Sequence, residues 1–214
     1  MSCIIHEYKF IFIHVAKCAG CSIRNVEWMR SKGFEKECTG HQTIKCYEKK
    51  SSHLFDEYFK FAFVRNPWDR IVSAYEDSPD TMEQIPEFEK FVDILYKNKS
   101  FFHNKKSISW SSEIKIPNFP KTLIHFWPAH LCLRNKKGEL KMDFIGRFEN
   151  LQKDFDEICE SIGLPLCKLP HRNERKTKGR QRRTSFYKDL YNDKTINQVG
   201  EIYKDDIELF GYEY

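Results

Sequence analysis

Two stretches of the sequence change from an apolar run into a helical pattern across a short turn. The first, "YKFIFIHV" at residues 8–15, is β-branched and aromatic almost throughout, which is typical of a strand buried on both faces. Small residues follow it, and "CSIRNVEWMRSKG" then shows helical spacing before it stops at Gly33. The second, "YFKFAFVRNPWDRIVSAYED", begins as an aromatic strand, turns at Asn66 and becomes a helix from about Trp68. Two successive strand-to-helix units predict an α/β fold with a central, mainly parallel sheet flanked by helices.

The size and composition of the chain fit one folded domain. Of its 214 residues 31% are charged and 15% aromatic, which is far from the aromatic-poor composition of disordered chains. This length is enough for one sizeable core, so we predict a single domain over residues 1–214. The formal net charge of +5 is modest; it favours an anionic ligand and gives no reason to expect a nucleic-acid partner.

The apolar segments are short and the cysteines are scattered. No segment approaches the roughly 18 to 20 apolar residues of a membrane-spanning helix, and charged residues interrupt the start "MSCIIHEYKFIF". We therefore expect no membrane span and no signal peptide. Eight irregularly spaced cysteines in a chain with a large core are typical of reduced, mostly buried thiols rather than of a disulfide scaffold. This predicts a cytoplasmic protein.

The turn after the first strand, "AKCAGCS" at residues 16–22, contains a lysine among small residues. A strand that ends in such a loop before a helix leaves backbone N–H groups pointing at one place, where the helix dipole adds positive potential. Ala19 and Gly20 let the backbone come close to a ligand, while Lys17 adds a full charge. Ser22 adds a hydroxyl. This pattern indicates an anion site without the spacing of a Walker A motif; the alternative is an ordinary helix start with a solvated lysine.

The second turn also places a cation where a strand ends. Arg65 carries a permanently charged fork that suits bidentate recognition, and Ser73 lies about two helical turns further on. A second phosphate-sized anion could bind there. The alternative is a simple ion pair between Arg65 and Asp69 across the first turn of the helix.

Further along the chain the pattern predicts three more helices, a hairpin turn and a loop. "IPEFEKFVDILYKN" is an amphipathic helix, and "NKKG" lies between two apolar stretches as a hairpin turn. The second of those stretches leads into a helix, "ENLQKDFDEICESIGL", that Gly163 closes. "KTINQVGEIYKDDIELFGY" is a last amphipathic helix. The Ser- and Lys-rich segment before residue 120 is expected to be a loop near the substrate.

Four stretches together carry a resemblance to a known family. "IFIHVAKCAGCSIR", "FKFAFVRNPWDRIVSAY", "DFIGRFENL" and "YKDDIELFGYEY" are similar, in this order, to the sulfotransferases that use 3′-phosphoadenosine 5′-phosphosulfate (PAPS), in particular the carbohydrate branch. The resemblance spans nearly the whole chain, and the segment around Arg65 and Ser73 is its most specific part. It implies a P-loop-like, three-layer α/β fold and PAPS as the sulfuryl donor, with no metal required.

The resemblance also implies roles for the two turns. Arg65 and Ser73 would hold the 3′-phosphate, and the first loop would hold the 5′-phosphosulfate, with Lys17 stabilising charge during transfer. The residues of that first loop are Lys17, Cys18, Ala19, Gly20, Cys21 and Ser22. The acceptor is expected to be a hydroxyl group, on a glycan or a small sugar.

The first loop departs from the family pattern, which reads like "PKTGGTS". Cys18 and Cys21 stand in the two threonine places and Ala19 replaces a glycine, which bears on donor affinity because a thiol donates a weaker hydrogen bond than a hydroxyl. Cys18-x-x-Cys21 after a strand also fits a thioredoxin-like redox protein. A kinase-like nucleotide-binding protein is a further alternative, disfavoured by the missing Walker motif and metal-binding carboxylates.

A histidine is the expected general base, because its pKa lies nearest to neutral pH. His41 in "TGHQT" is the first choice, since related carbohydrate sulfotransferases have a "GH" here that supplies the base. His125 and His130 in "HFWPAHL" are the next candidates. His14 lies within the first strand and is expected to be a core residue or to support the site from behind it.

A basic run, "RNERKTKGRQRR", follows residue 170. It is by default a solvated segment. Some sulfotransferases close a basic, glycine-containing loop over the 3′-phosphate and adenine, so the resemblance makes Lys178 and Arg180 candidate donor contacts. The spacing of Cys38, His41 and Cys46 is too irregular for a zinc site, and we expect no metal.

Overall fold

A computed structural model of the chain describes the residues from 3 to 214 except for three longer gaps and position 51. By its contacts the chain divides into two compact units. The first unit comprises Met1–Val64 and Cys132–Thr184, and the second Arg65–Leu131 and Ser185–Tyr214. The prediction of a single domain stays a prediction. The described ranges are 3–27, 42–50, 52–103, 123–170 and 186–214.

The first unit contains a four-stranded sheet in the order β1-β2-β3-β4. β2 pairs with β3 and β3 with β4 in parallel, whereas β1 runs antiparallel to β2. Every residue of β2 is buried, as expected of a strand that is covered on both faces. The α/β fold with a mostly parallel sheet is therefore confirmed. The strands are β1 Cys3–Ile5, β2 Phe10–Ile13, β3 Phe59–Val64 and β4 Phe144–Arg147.

Sequence reasoning missed β1 and made the following strand too long. The predicted strand at residues 8–15 is limited to Phe10–Ile13, because the preceding polar residues form a turn. Lys9 has a φ of 48° in that turn, and its backbone N–H donates to the carbonyl of His6 at 3.2 Å. A three-residue edge strand is too short to show an alternating pattern.

The helices agree in position with most of the predicted ones. The Asn66 side chain accepts a hydrogen bond from the N–H of Trp68 at 3.1 Å, which starts α4 where the Asn-Pro pair predicted a helix. In chain order the α-helices with both bounds among the described residues are α1 Gly20–Arg24, α2 Ile44–Lys50, α3 Ser52–Phe55, α4 Pro67–Glu76, α5 Pro79–Gln84, α6 Phe88–Lys97, α7 Ser100–His103, α8 Ala129–Leu133, α9 Leu151–Ser161, α10 Asp193–Ile202 and α11 Lys204–Phe210.

The helix after the first loop is shorter than its pattern predicts. α1 ends at Arg24, and the Asn25 side chain folds back to donate to the carbonyl of Cys21 at 2.7 Å. Residues 28–33 of the predicted helix lie outside the described residues. Asparagine competes for backbone partners in this way, which makes it a poor residue for a helix interior.

α9 ends where Gly163 predicted an end. Gly163 has a φ of 68°, and the N–H of Leu164 reaches back to the carbonyl of Cys159 at 2.8 Å. The predicted "NKKG" hairpin is confirmed in small form by an antiparallel bridge between Arg134 and Leu140.

The second unit consists of helices packed around aromatic side chains. α6 contributes the apolar face that its spacing predicts, and the ring of Phe91 lies 4.8 Å from that of Tyr75 and 5.2 Å from that of Phe126. The predicted last helix is two helices, because the chain breaks at Tyr203. Tyr203 is fully buried, and its hydroxyl donates to the carbonyl of Phe126 at 2.5 Å. The break therefore coincides with a tertiary contact, and no glycine or proline occupies that position.

Candidate functional site

The loop after β2 has an unusual backbone. Lys17 has a φ of 64° and Ala19 a φ of 60°, so both lie in the left-handed region that glycine adopts most easily. The N–H groups of Ser22 and Ile23 donate to the carbonyl of Ala19 at 2.9 and 3.2 Å and so begin α1. The sequence correctly predicts a tight turn into a helix at this place.

Gly20 is required by a close contact rather than by its backbone angle. A Cβ atom at this position would overlap the imidazole ring of His14. His14 is only 7% exposed, and its ring stacks on Phe12 at 5.9 Å. The predicted burial of His14 in the core is confirmed, although the residue lies just after β2, which ends at Ile13, and not within the strand. Its ring packs against Gly20 of the loop.

The two cysteines of the loop have different surroundings. Cys18 is 1% exposed, and its thiol donates to the carbonyl of Ala16 at 3.5 Å, whereas Cys21 is half-buried. Both are free thiols. A disulfide-exchanging pair presents its nucleophilic thiol to the solvent, so the burial of Cys18 disfavours the redox alternative.

A cavity of about 580 Å³ lies beside the loop, within the first unit. Ser22 lines it on one side and Leu151 and Gln152, at the start of α9, on another. The remaining wall is the segment 166–170, where the side chain of Leu166 is 58% exposed. This size and mainly apolar lining are typical of small-molecule sites.

Gln152 fixes the segment that forms this wall. Its amide nitrogen donates to the carbonyl of Cys167 at 3.0 Å, and its amide oxygen accepts from the N–H of Leu169 at 2.8 Å. One side chain thus pairs with the backbone of 167–169 as a neighbouring strand would. Sequence reasoning missed this wall, because no periodic pattern marks the segment.

In the second unit Arg65, Asp69 and Ser73 follow one another at intervals of four residues, with Arg65 just before α4 and the other two within it. The Nε of Arg65 donates to Asp69 at 2.7 Å, so the ion pair that stood as the alternative interpretation is present. It occupies one of the five N–H groups of the guanidinium, and the others belong to the two Nη atoms that form a bidentate fork. Ser73 is half-buried one turn after Asp69 on the same face of α4.

Of the candidate histidines, some lie within the described residues and others do not. His41, the first choice, lies outside the described residues, as do Lys178 and Arg180, and their roles stay predictions. The Nδ1 of His130 lies 2.6 Å from Asp206, and its Nε2 lies 3.4 Å from Asp205.

Asp206 is 2% exposed and also accepts from the backbone N–H groups of Ala129 at 2.6 Å and His130 at 2.8 Å, so it caps the start of α8. His130 therefore belongs to a buried network that holds this helix.

The described residues contain no cluster of histidine, cysteine, aspartate and glutamate side chains that could hold a metal ion. Within the same ranges no helix has the length and apolar character needed to cross a membrane. The cytoplasmic location and the absence of a metal stay predictions.

Known proteins resemble the chain along most of its length. It matches the model of a family described as "Sulfotransferase family" over residues 2–213. Carbohydrate sulfotransferase 14 of Danio rerio is 27% identical over 172 residues, which are 75% of this chain and 45% of that protein. Carbohydrate sulfotransferase 11 of Mus musculus is 21% identical over 173 residues, which are 75% of this chain and 49% of that protein. An uncharacterized protein of Archaeoglobus fulgidus is 32% identical over 112 residues, or 52% of this chain and 73% of that protein.

The chain thus spans about half the length of the two carbohydrate sulfotransferases. No solved structure matches it.

Proposed function

Because this chain belongs to the sulfotransferase family, we propose that it moves a sulfuryl group from PAPS to a hydroxyl group of a carbohydrate. A family match over residues 2–213 supports transfer chemistry along the whole chain. The names of its relatives, carbohydrate sulfotransferases 14 and 11, support a sugar as the acceptor.

The position of Ser22 is the observation that carries the donor assignment. Ser22 belongs both to the first turn of α1, directly after the loop, and to the lining of the 580 Å³ cavity. We propose that the loop from Lys17 to Ser22 binds the 5′-phosphosulfate and that this cavity receives the adenosine. The apolar side chains of Leu151 and Leu169 suit the faces of a flat aromatic base.

Arg65 and Ser73 are proposed to bind the 3′-phosphate. A guanidinium offers paired N–H groups in the geometry of a phosphate, and a serine hydroxyl can donate one more hydrogen bond. The ion pair with Asp69 at 2.7 Å supports this role, because it fixes Nε and thereby the plane of the fork. Lys178 and Arg180 stay proposed contacts of the donor.

The proposed reaction is an in-line displacement at sulfur. The acceptor oxygen forms a bond to sulfur while the bond from sulfur to the 5′-phosphate oxygen breaks, and adenosine 3′,5′-bisphosphate leaves. His41 takes the proton of the acceptor hydroxyl, and Lys17 neutralises charge on the leaving phosphate and the moving sulfuryl group. As in phosphoryl transfer, the protein contributes mostly positioning and charge stabilisation.

A transfer assay tests this function directly. The chain would be incubated with PAPS, or with ATP as the rival donor, and with glycans, simple sugars, small alcohols and tyrosyl peptides. We expect a sulfated sugar and an equal amount of adenosine 3′,5′-bisphosphate, and no product with ATP. High-resolution mass spectrometry distinguishes sulfation from phosphorylation. Phosphorylated product, or sulfation confined to non-sugar acceptors, contradicts the proposal.

The base is tested in the same assay. His41→Ala should lower the rate about 10²- to 10⁴-fold, the usual contribution of general-base catalysis, with donor affinity unchanged. His14→Ala is the matched control: this ring packs against Phe12 and Gly20, so its loss should lower the melting temperature instead. Near-normal turnover of His41→Ala places the base elsewhere.

A further inference from the structure

The turn that carries Arg65 is held by residues far along the chain. The Oδ1 of Asn66 accepts from the N–H of Trp68 at 3.1 Å, and its Nδ2 donates to the carbonyl of Glu213 at 2.8 Å. One side chain thus starts α4 and ties the turn to the residues that follow α11. We call Gly211–Tyr214 the clamp segment.

Trp68 joins the same turn to three partners. It is 5% exposed, its Nε1 donates to the carbonyl of Ile196 at 3.0 Å, and its carbonyl accepts from the hydroxyl of Tyr191 at 2.9 Å. Its ring meets Tyr214 of the clamp segment edge to face, with centroids 5.6 Å apart. Burial and nearby phenols raise the pKa of Tyr191 well above its usual range, so its hydroxyl remains a donor.

Tyr214 is itself fixed on several sides. Its ring lies 5.6 Å from that of Tyr191, and the ammonium of Lys188 sits 4.7 Å from its centroid. Its hydroxyl donates to the carbonyl of Lys188 at 3.3 Å. The left-handed φ of 62° at Gly211 turns the chain out of α11 towards these contacts.

These contacts adjoin Arg65, because Asn66 is the next residue and Asp69 of α4 accepts a hydrogen bond from its Nε. We propose that the clamp segment positions Arg65 for the 3′-phosphate, with Tyr214 and the Asn66 to Glu213 hydrogen bond as its two anchors. The proposal rests on the proposed function. Its physical basis is preorganisation: a bidentate contact reaches full strength only when the fork is held in the bound geometry before the ligand arrives.

The test compares two nucleotides that differ only in the 3′-phosphate. Calorimetry on the full chain measures the affinities of adenosine 3′,5′-bisphosphate and adenosine 5′-phosphate. In Tyr214→Ala we expect the preference for the bisphosphate to fall by about three- to tenfold, less than the complete loss of a charged contact. The affinity for the 5′-phosphate should stay the same.

A second variant attacks the other anchor without removing the helix cap. Serine caps helices as well as asparagine does, so Asn66→Ser keeps the hydrogen bond to Trp68 but is too short to reach the carbonyl of Glu213. It should lower the preference in the same direction. Tyr96→Ala is the control, because the hydroxyl of Tyr96 contacts Glu201 and should leave the preference unchanged.

The outcomes separate this proposal from the function on which it rests. Equal affinity of the wild-type chain for both nucleotides overturns the 3′-phosphate site and the clamp together. A wild-type preference that persists in Tyr214→Ala and Asn66→Ser overturns the clamp alone, even if both variants melt earlier. A preference that falls in both variants and persists in Tyr96→Ala supports it.

Discussion

The two proposed phosphate-binding regions are built in opposite ways. The loop of the first unit is shaped by its backbone: Lys17 and Ala19 are left-handed, and Gly20 lies against the ring of His14. The turn of the second unit is shaped by side chains, among them Asn66, which caps α4, and Asp69, which holds Nε of Arg65.

The difference explains which substitutions each region accepts. Backbone donors persist when a side chain changes, so a loop of this kind can carry Cys18 and Cys21 in the places where the family pattern that it resembles has threonine. The positions that matter there are those where φ is positive, namely Lys17 and Ala19, and the one where space is missing, Gly20. In the second region the side chain of Arg65 itself is proposed to bind the phosphate, so its removal should lower nucleotide affinity directly.

The largest expected effect in this comparison follows from Arg65→Ala. A hydrogen bond to a charged group contributes about 1.5 to 3 kcal/mol, so the affinity for adenosine 3′,5′-bisphosphate should fall about ten- to a hundredfold. Calorimetry with adenosine 5′-phosphate should show no change. Arg65→Lys keeps the positive charge but lacks the paired N–H groups of the guanidinium. Its affinity for adenosine 3′,5′-bisphosphate should therefore lie between those of the wild type and of Arg65→Ala. A uniform loss for both nucleotides would instead mean that Arg65 only supports the fold.

Much of the fold follows from local patterns. β2 and β3 are predictable because buried parallel strands are continuous apolar runs, and α4 because Asn66 and Pro67 mark its start. β1 and the break at Tyr203 are not predictable in this way, since a short edge strand and a tertiary contact leave no period in the sequence. The family resemblance seen in the motifs is confirmed by the match over residues 2–213.

In the candidate site, too, local contacts are predictable from the sequence and long-range contacts are not. Contacts within one turn, such as Arg65 with Asp69, can be expected from their spacing of four residues. The cavity wall held by Gln152 and the contact of Asn66 with Glu213 join residues 17 and 147 positions apart. Single-sequence patterns report local periodicity, so contacts of this range become visible only in the folded chain.

The next largest effect is expected from Gly20→Ala, which tests steric fit in the first loop rather than charge. Gly20→Ala would force a Cβ into the ring of His14, and overpacking of this kind typically costs about 1 to 3 kcal/mol. We expect a lower melting temperature and weaker binding of PAPS. His14→Ala removes the obstacle, so the two changes together should destabilise less than the sum of the single changes. Strict additivity in denaturant unfolding would show that Gly20 does not depend on this ring.

The smallest expected effect is a gain in stability, from Ala19→Gly. Ala19 has a φ of 60°, where a residue with a Cβ costs about 1 to 2 kcal/mol, and glycine recovers this at a cost of about 0.4 to 1 kcal/mol in unfolded-chain entropy. Ala19→Gly should therefore stabilise the chain by about 0.5 to 1 kcal/mol, a rise in melting temperature of about 2 to 4 °C per kcal/mol at this size.

Ala16→Gly is the matched control for this change. Ala16 belongs to the same loop, is 4% exposed and does not have a positive φ, so glycine there adds entropy to the unfolded chain and removes a buried methyl group. It should lower the melting temperature. If both glycines shift the melting temperature in the same direction, the left-handed backbone at Ala19 is not strained, and the loop is shaped by its side chains as the turn at Arg65 is.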